Sequence, residues 1–385
     1  MAAPLIEVDE SRYEAQLAGK VARVRTQFRA LGLPEELDVF RSAKAHYRMR
    51  AEFRVWHEGD RCYYIMFKGG GRGAERVRVD NFTVGSKLMN EAMAAVLEEV
   101  HARAVLKAKL YQVNYHTTLS GQCMVTMVYH KVLKGEWEAA AEALRGKLAE
   151  APGVQPDHRP IVIGRSRGKK TSLDRDFVVE RLAVAGRELQ YKQVEANFSQ
   201  PNAGMCQHML AWAHEVTRGS PGDLLELYGG NGNFCIALAP NFAKGVMTEL
   251  SKTSIKAAKY NLEANGVENI KVAQATAEDF SAAWLGKRPL KSLQKERIDL
   301  GEYDFRTILV DPPRAGLDDA TVKLAQEFDR IVYISCNPDT LHANLEVITN
   351  THTIERFALF DQFPYVHHTE CGVFLKKKAA NGHEA

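Results

Sequence analysis

The second half of the chain alternates between two hydrophobic periods, and that alternation limits the fold more than any other feature. Short apolar runs at Leu224–Tyr228, Gly245–Glu249, Ile270–Gln274, Thr307–Asp311 and Arg330–Ser335 read as strands, and stretches with helical spacing fit between them. Ser251 stands where a helix N-cap belongs. A parallel strand pair needs a long crossover, and a helix supplies one. The repeated order therefore predicts a Rossmann-like, mostly parallel, doubly wound sheet in an α/β domain. Two late strands, Glu355–Asp361 and Gly372–Lys377, have no long helix between them. One of them should run antiparallel, and it is expected at the sheet edge. The segment Ser281–Tyr303 has no clear period, carries Lys287, Arg288, Lys291, Lys295 and Arg297, and reads as a surface insertion.

The first half has a different pattern. Ser11–Leu31 shows helical spacing, with Leu17, Val21, Val24 and Phe28 on one side. From Tyr47 to Trp56 the period is two: Tyr47, Met49, Ala51, Phe53 and Val55 alternate with Arg48, Arg50, Glu52, Arg54 and Trp56. That is a half-buried strand with a mostly basic outer face. A second strand at Cys62–Phe67, a glycine turn at residues 69–73 and a third strand carrying Arg76 and Arg78 follow. Helices are expected at Gly85–Arg103 and Glu136–Glu150. Further strands are expected near Leu110–Tyr115, Met124–Tyr129, Ile161–Lys170 and Phe177–Val184. These readings give an N-terminal α+β domain over residues 1–190 and a catalytic α/β domain over residues 191–385.

Composition removes several classes. With 45% hydrophobic and 26% charged residues, a disordered or collagen-like chain is excluded. The 51 basic and 48 acidic residues leave +3, too mild for a polybasic tail protein but compatible with one basic face. No apolar run is long enough to suggest a membrane span, and Met1–Glu10 lacks the apolar core of a signal peptide. The six cysteines, Cys62, Cys123, Cys206, Cys235, Cys336 and Cys371, form no C-x-x-C pair. A metal site or iron–sulfur cluster is therefore not expected, and a reducing cytoplasm is.

Open α/β sheets bind ligands beyond the carboxyl ends of their strands. The strand ending at Tyr228 runs into Gly229-Gly230-Asn231-Gly232-Asn233, a loop that lets backbone approach a ligand closely. The next strand ends at Glu249, where a carboxylate can accept from both ribose hydroxyls. The glycines are closer together than the dinucleotide spacing requires, so a nucleoside without phosphates, such as S-adenosylmethionine, suits the loop better. A tight turn with no ligand is the competing reading.

Two more strands end in residues with chemistry. Asp311 precedes Pro312-Pro313-Arg314, and the prolines hold the backbone extended just past the strand. Cys336 follows Ser335 at the same edge, ahead of a helix that begins after Pro338, which should favour its thiolate. A lone cysteine is more commonly a small buried hydrophobe. Near the end, Phe360-Asp361-Gln362-Phe363-Pro364-Tyr365-Val366-His367-His368-Thr369-Glu370 sets a carboxylate among aromatics, where it can become a usable base. Ordinary hairpin packing is the alternative there. His367 and His368 have no third ligand at helpful spacing and read as structural or RNA-facing.

At these residues the chain resembles the S-adenosylmethionine-dependent RNA uracil-5-methyltransferases, and within them the tRNA enzymes. The order Asp311-Pro312-Pro313-Arg314, Ser335-Cys336-Asn337-Pro338 and His367-His368-Thr369-Glu370-Cys371 is specific to that family. His46–Arg54 resembles its RNA-binding domain, and Phe198-Ser199-Gln200-Pro201-Asn202 its entry to the catalytic domain. The resemblance implies methylation of uridine C5 at position 54 of the tRNA T-loop, giving ribothymidine. Cys336 would be the nucleophile and Glu370 the base. Gln200, Tyr228, Asn233, Glu249 and Asp311 would contact S-adenosylmethionine. Arg48, Arg50, Arg54, Arg76 and Arg78 would meet phosphates and Tyr111 would stack on a base, although each arginine suits a solvated face equally well. The T-loop-like arm of transfer-messenger RNA is a second expected substrate, and a cytoplasmic monomer is expected. A ribosomal-RNA enzyme and an RNA-binding or chaperone protein without turnover are the alternatives.

Overall fold

The computed structural model describes residues 6–68 and 74–379, and the glycine turn expected at residues 69–73 lies outside them. Along the chain, α1 (Tyr13–Phe28) leads to β1 (Asp38–Phe40), β2 (Arg50–Glu58), β3 (Arg61–Lys68) and β4 (Glu75–Arg78). Then come α2 (Lys87–Ala102), α3 (Ala104–Lys107), β5 (Leu110–Thr117), β6 (Cys123–Tyr129), α4 (Gly135–Ala149), β7 (Ile161–Ser166) and β8 (Lys169–Ser172). A hairpin of β9 (Phe177–Val184) and β10 (Arg187–Val194) precedes α5 (Ala203–Val216). The remainder is β11 (Asp223–Leu227), α6 (Asn233–Leu238), β12 (Gly245–Glu249), α7 (Lys252–Ala264), β13 (Ile270–Gln274), α8 (Ala277–Trp284), α9 (Lys291–Lys295), β14 (Phe305–Val310), α10 (Asp319–Glu327), β15 (Arg330–Ser335), α11 (Pro338–Ile348), β16 (His352–Phe360) and β17 (Glu370–Lys377).

The chain forms two compact units that do not divide at one point. One holds Ala43–Leu182 and Lys192–Gly204; the other holds Arg12–Ser42, Ala183–Tyr191 and the chain from Met205 onward. A single boundary near residue 190 therefore misses α1 and β1. They belong with the second unit because β1 pairs in parallel with β16 and Tyr13, Leu17, Val24 and Phe28 are buried in that unit's core.

The first unit is built on a seven-stranded sheet in the order β4-β3-β2-β5-β6-β7-β8. Its pairs are antiparallel except β6–β7. In β2 the period of two is as expected, with Ala51, Phe53 and Val55 buried and Glu52 and Trp56 exposed. The strand expected over Ile161–Lys170 is instead a hairpin. Arg167 and Gly168 both take positive φ, at 48° and 77°, the geometry of a two-residue turn. Ala185 and Gly186, at 49° and 77°, make the same kind of turn between β9 and β10.

The second unit carries the eight-stranded sheet β1-β16-β17-β15-β14-β11-β12-β13. The parallel, doubly wound reading holds from β11 to β15, with a helix in each connection. The antiparallel strand is β17, and it lies inside the sheet between β15 and β16, not at the edge. A strand added after the last crossover helix has room there, because β16 has already taken the outer place. All five residues of β11 are buried, as a parallel strand covered on both faces requires. The segment read as an insertion folds into the end of α8 and into α9, with Leu293 and Ile298 anchoring it in the core.

Candidate active site

The parallel register lines up the strand ends. Leu227 pairs with Val310 and Val310 with Tyr333, so Tyr228 and Asp311 emerge at one level. Glu226 pairs with Met247, which brings Glu249 to the same level. Tyr228 turns the chain with φ of 60°, a conformation costing a non-glycine residue about 1 kcal/mol or more. Gly230 and Gly232 follow at 56° and 84°. At Gly229 an added Cβ would meet Met247 Cγ at 2.3 Å, whereas the space beside Gly230 is open. Close packing beneath the loop and room above it make a cradle for a flat group.

Glu249 closes one side of that cradle. Its Oε2 accepts from the Gly230 amide at 3.0 Å and its Oε1 from the Ser251 amide at 2.7 Å. Each carboxylate oxygen keeps a further lone pair, as two ribose hydroxyls require. Asn233 opens α6 and lies 3.5 Å from Cys206 Sγ, while its carbonyl accepts from the Tyr191 hydroxyl at 2.9 Å. The sequence reasoning passed over Glu226, although a single acid in an otherwise apolar strand is a visible signal. It is buried and accepts from the Cys235 amide at 2.9 Å, and burial pushes its carboxyl up to about 8.

The chemical residues stand beyond this edge. Ser335 pairs with Cys371 at the end of antiparallel β15 and β17, so Cys336 and Glu370 stand one residue beyond that last pair, and Glu370 raises the Cys336 thiol. Burial pushes Glu370 well above the usual carboxylate range, and the neighbouring Asp311 charge adds to it. Asp311 is partly exposed but densely surrounded, and burial pushes it up to about 7. The Cys336 thiol is pushed up to about 11, first by burial, then by Glu370 and Asp311, with Arg314 opposing. The expected shift toward thiolate is thus reversed: two carboxyl groups and desolvation outweigh the start of α11. The two carboxyl groups and the thiol fit a cationic ligand. A sulfonium placed among them would favour every ionised form, and the open loop at Gly230 with the Glu249 carboxylate suits a nucleoside.

Side chains lock the loops in place. Asn337 caps α11 through Oδ1, which accepts from the Asp339 amide at 3.2 Å, and its Nδ2 donates to the Arg314 carbonyl at 2.9 Å. One residue beside Cys336 thus holds the loop that begins at Asp311. The segment from Asp361 to Thr369 is bound by α1, through Gln16, Lys20 and Arg23. His367 and His368 are both exposed.

In the first unit, Arg54 lies over the Tyr111 ring at 3.9 Å, and the ring centroids of Tyr111 and His130 are 4.2 Å apart. Arg54 Nη1 is buried with no hydrogen-bond partner. Arg76 lies 3.8 Å over Trp56 and Arg78 4.7 Å over Tyr63, so the outer face of β2, β3 and β4 carries arginines stacked on aromatic rings. Trp56 and Phe67 remain 40% and 48% exposed, unusual for such large apolar groups. Arg48 and Arg50 are engaged within the unit. Arg48 Nε donates to the Arg50 carbonyl at 2.7 Å, and Arg50 donates to the Asn197 carbonyl and, at 3.2 Å, to Ser199 Oγ. Gln200, the next residue, also belongs to this unit, three residues ahead of α5.

Comparison with known proteins gives the family. The family model described as tRNA (Uracil-5-)-methyltransferase matches residues 12–378. A tRNA/tmRNA (uracil-C(5))-methyltransferase of Shewanella amazonensis is 51% identical, over 96% of this chain and 99% of its own. That of Acinetobacter baumannii is 47% identical, over 95% and 99%. The crystal structure of a Pyrococcus abyssi tRNA (uracil-54, C5)-methyltransferase in complex with S-adenosyl-L-homocysteine superposes with a TM-score of 0.67. It is 21% identical and covers 94% of this chain and 83% of that one, a likeness of fold. With the strand-end carboxylates, the Cys336–Glu370 pair and a family match that spans nearly all its residues, the chain belongs to the tRNA (uracil-5-)-methyltransferase family.

Proposed function

We propose that this protein methylates C5 of a uridine in the T-loop of tRNA with S-adenosylmethionine as co-substrate. The observation that carries the reading is the placement of Cys336 opposite Glu370, next to Asp311, at the carboxyl edge of the sheet. Uracil C5 is too weak a nucleophile to take a methyl group unaided. The Cys336 thiolate adds to C6, forming the C6–S bond and moving the C5–C6 π pair into an enolate across C5, C4 and O4. The co-substrate supplies an electrophilic methyl group on a sulfonium, and C5 takes that methyl as the methyl–sulfur bond breaks, its electron pair staying on sulfur so that S-adenosylhomocysteine leaves as a thioether. Glu370, as carboxylate, removes the C5 proton. The electron pair of the C5–H bond restores the C5–C6 double bond, and the C6–S bond breaks to return the thiolate.

Tyr228, Asn233, Glu249 and Asp311 are proposed to hold the co-substrate, with Glu249 on the ribose. Gln200 joins them on the resemblance alone. The target base must leave its stack to be reached from both faces. For the RNA we propose Arg54 and Tyr111 as the central contact, supported by the stacking of the Arg54 guanidinium on the Tyr111 ring. Arg76 and Arg78 with Trp56 and Tyr63 extend that face, and Arg48 and Arg50 act nearest the Asn197–Ser199 segment. The T-loop-like arm of transfer-messenger RNA is a second proposed substrate, and relatives are named for both RNAs. The proposal includes a cytoplasmic monomer, and the chemistry calls for no metal or iron–sulfur cluster. No helix among the described residues is long and apolar enough to cross a membrane.

The test is a T-arm RNA incubated with the protein and methyl-labelled S-adenosylmethionine, then digested to nucleosides. Label in 5-methyluridine at the T-loop position is expected. Bound RNA that remains unmethylated would overturn the reading.

A further inference from the structure

The helix α1 begins more than three hundred residues before Glu370, yet one face of it is spent on the segment that ends at Glu370. Gln16, Lys20 and Arg23 are four and three residues apart and share that face. Lys20 Nζ donates to Asp361 Oδ1 at 2.6 Å and to the Phe363 carbonyl at 2.7 Å. Gln16 Nε2 donates to Asp361 Oδ2 at 2.9 Å, and its Oε1 accepts from the Tyr365 amide at 3.3 Å. Arg23 Nη2 donates to the His367 carbonyl and to Thr369 Oγ1, both at 3.0 Å. Lys20 and Asp361 are both buried, with side chains 4% and 0% exposed.

The register shows what this arrangement reaches. Phe360 pairs with Glu370 across β16 and β17, so Asp361 and Thr369 are the next residues on either strand. Both are fixed by α1, one through Lys20 and Gln16, the other through Arg23. The backbone entering Glu370 is thereby gripped immediately before it, and the backbone of its cross-strand partner immediately after. The other flank of Glu370 faces Cys336. A buried charge pair is a poor source of net stability, because desolvating both groups offsets most of their attraction. Its value lies in fixing a geometry, and a group that must meet a particular proton needs its geometry fixed to a fraction of an ångström.

We propose that Gln16, Lys20 and Arg23 are positioning residues for Glu370: α1 serves as a strap that aims its carboxyl at the C5 proton. The inference rests on the proposed role of Glu370 as base. The strap acts on proton removal and not on thiol addition or methyl transfer, which depend on Cys336 and the loop at Asp311.

The mild variant is Arg23→Ala, because Arg23 is exposed and its loss leaves no buried charge. Lys20→Met is the severe one, and Arg23→Lys is the rescue. Each is mixed with T-arm RNA carrying ordinary uridine, and both 5-methyluridine and the covalent protein–RNA adduct are followed in time. For Arg23→Ala, kcat should fall on the order of ten-fold with KM for RNA unchanged. The methylated covalent adduct should accumulate, and Arg23→Lys should recover most of the turnover. An equal fall in adduct formation and turnover, or no change in either, would overturn the strap, and Arg23→Ala decides this even if Lys20→Met does not fold. The wild-type protein separates the two levels: if it yields neither adduct nor product, the underlying reading fails instead.

Discussion

Cys336 and Glu370 are the residues next to the Ser335–Cys371 pair, the last of antiparallel β15 and β17, and Glu370 is near enough to raise the Cys336 thiol. A nucleophile and a base on neighbouring strands can address C6 and C5 of one ring, which are adjacent atoms. Burial and nearby carboxyl groups raise both groups above their ordinary values. A cation entering beside them would favour both ionised forms.

Glu370→Gln keeps the size of the side chain and removes its basicity. Thiol addition and methyl transfer should proceed, while release of 5-methyluridine should slow on the order of 10²–10⁴-fold, the usual contribution of a positioned base. Gel-shift under denaturing conditions should show the covalent complex with ordinary uridine. A variant with full turnover would remove Glu370 from the mechanism.

The Cys336 thiol, pushed up to about 11, is protonated below that pH. At pH 7 about one molecule in 10⁴ carries the thiolate. Alkylation of Cys336 by iodoacetamide, followed by peptide mass spectrometry, should rise about ten-fold per pH unit up to that point. Saturating S-adenosylmethionine, a sulfonium cation, should accelerate it at pH 7 more than S-adenosylhomocysteine, which lacks the sulfonium charge, does. Equal effects of the two ligands would contradict the electrostatic account.

Glu226 makes a stability prediction. Its folded pKa of about 8 lies above the unfolded value near 4.3, so the folded protein holds the extra proton between these limits. The unfolded state then binds fewer protons, and stability falls as pH rises through that window. Glu226→Gln stays neutral and still accepts from the Cys235 amide. The variant should match the wild type near pH 4 and exceed it by a few kcal/mol near pH 8, an upper bound set by about 1.4 kcal/mol per pKa unit. Urea melts across the window measure the gap, and a gap independent of pH would show that Glu226 is ionised in the fold.

Tyr111→Ala removes one stacking surface and should weaken T-arm binding by about 1–3 kcal/mol. Arg54→Ala should lower the slope of log affinity against log salt by about one, the effect of losing one cation at the phosphate backbone. Neither change should alter S-adenosylmethionine binding. Filter binding at several salt concentrations and calorimetry with the co-substrate check both statements.

Much of the site is legible in the sequence because strand ends announce themselves. Glu249, Asp311 and Cys336 each sit where an apolar run stops, and a parallel sheet sends such positions to one edge. What pairs across distance is not legible. Lys20 and Asp361 are 341 residues apart, and nothing near either one names the other. β1 has three residues, too few for a period, and its place beside β16 is fixed only by tertiary packing. Arg167-Gly168 and Ala185-Gly186 make turns without the asparagine or aspartate that usually signals them, so β8 and β10 stayed hidden. The protonation of Cys336 reads wrongly from sequence because the helix start is local, whereas burial and Glu370 are supplied by the fold.

The most direct measurement is mass spectrometry of the protein mixed with S-adenosylmethionine and a tRNA T-arm that carries 5-fluorouridine at the target. Fluorine cannot leave as a proton, so the reaction should stop after methyl transfer with the C6–S bond intact. The account predicts a methylated covalent adduct that maps to Cys336 and is lost in Cys336→Ala. Bound RNA without an adduct, or an adduct on another residue, would contradict it.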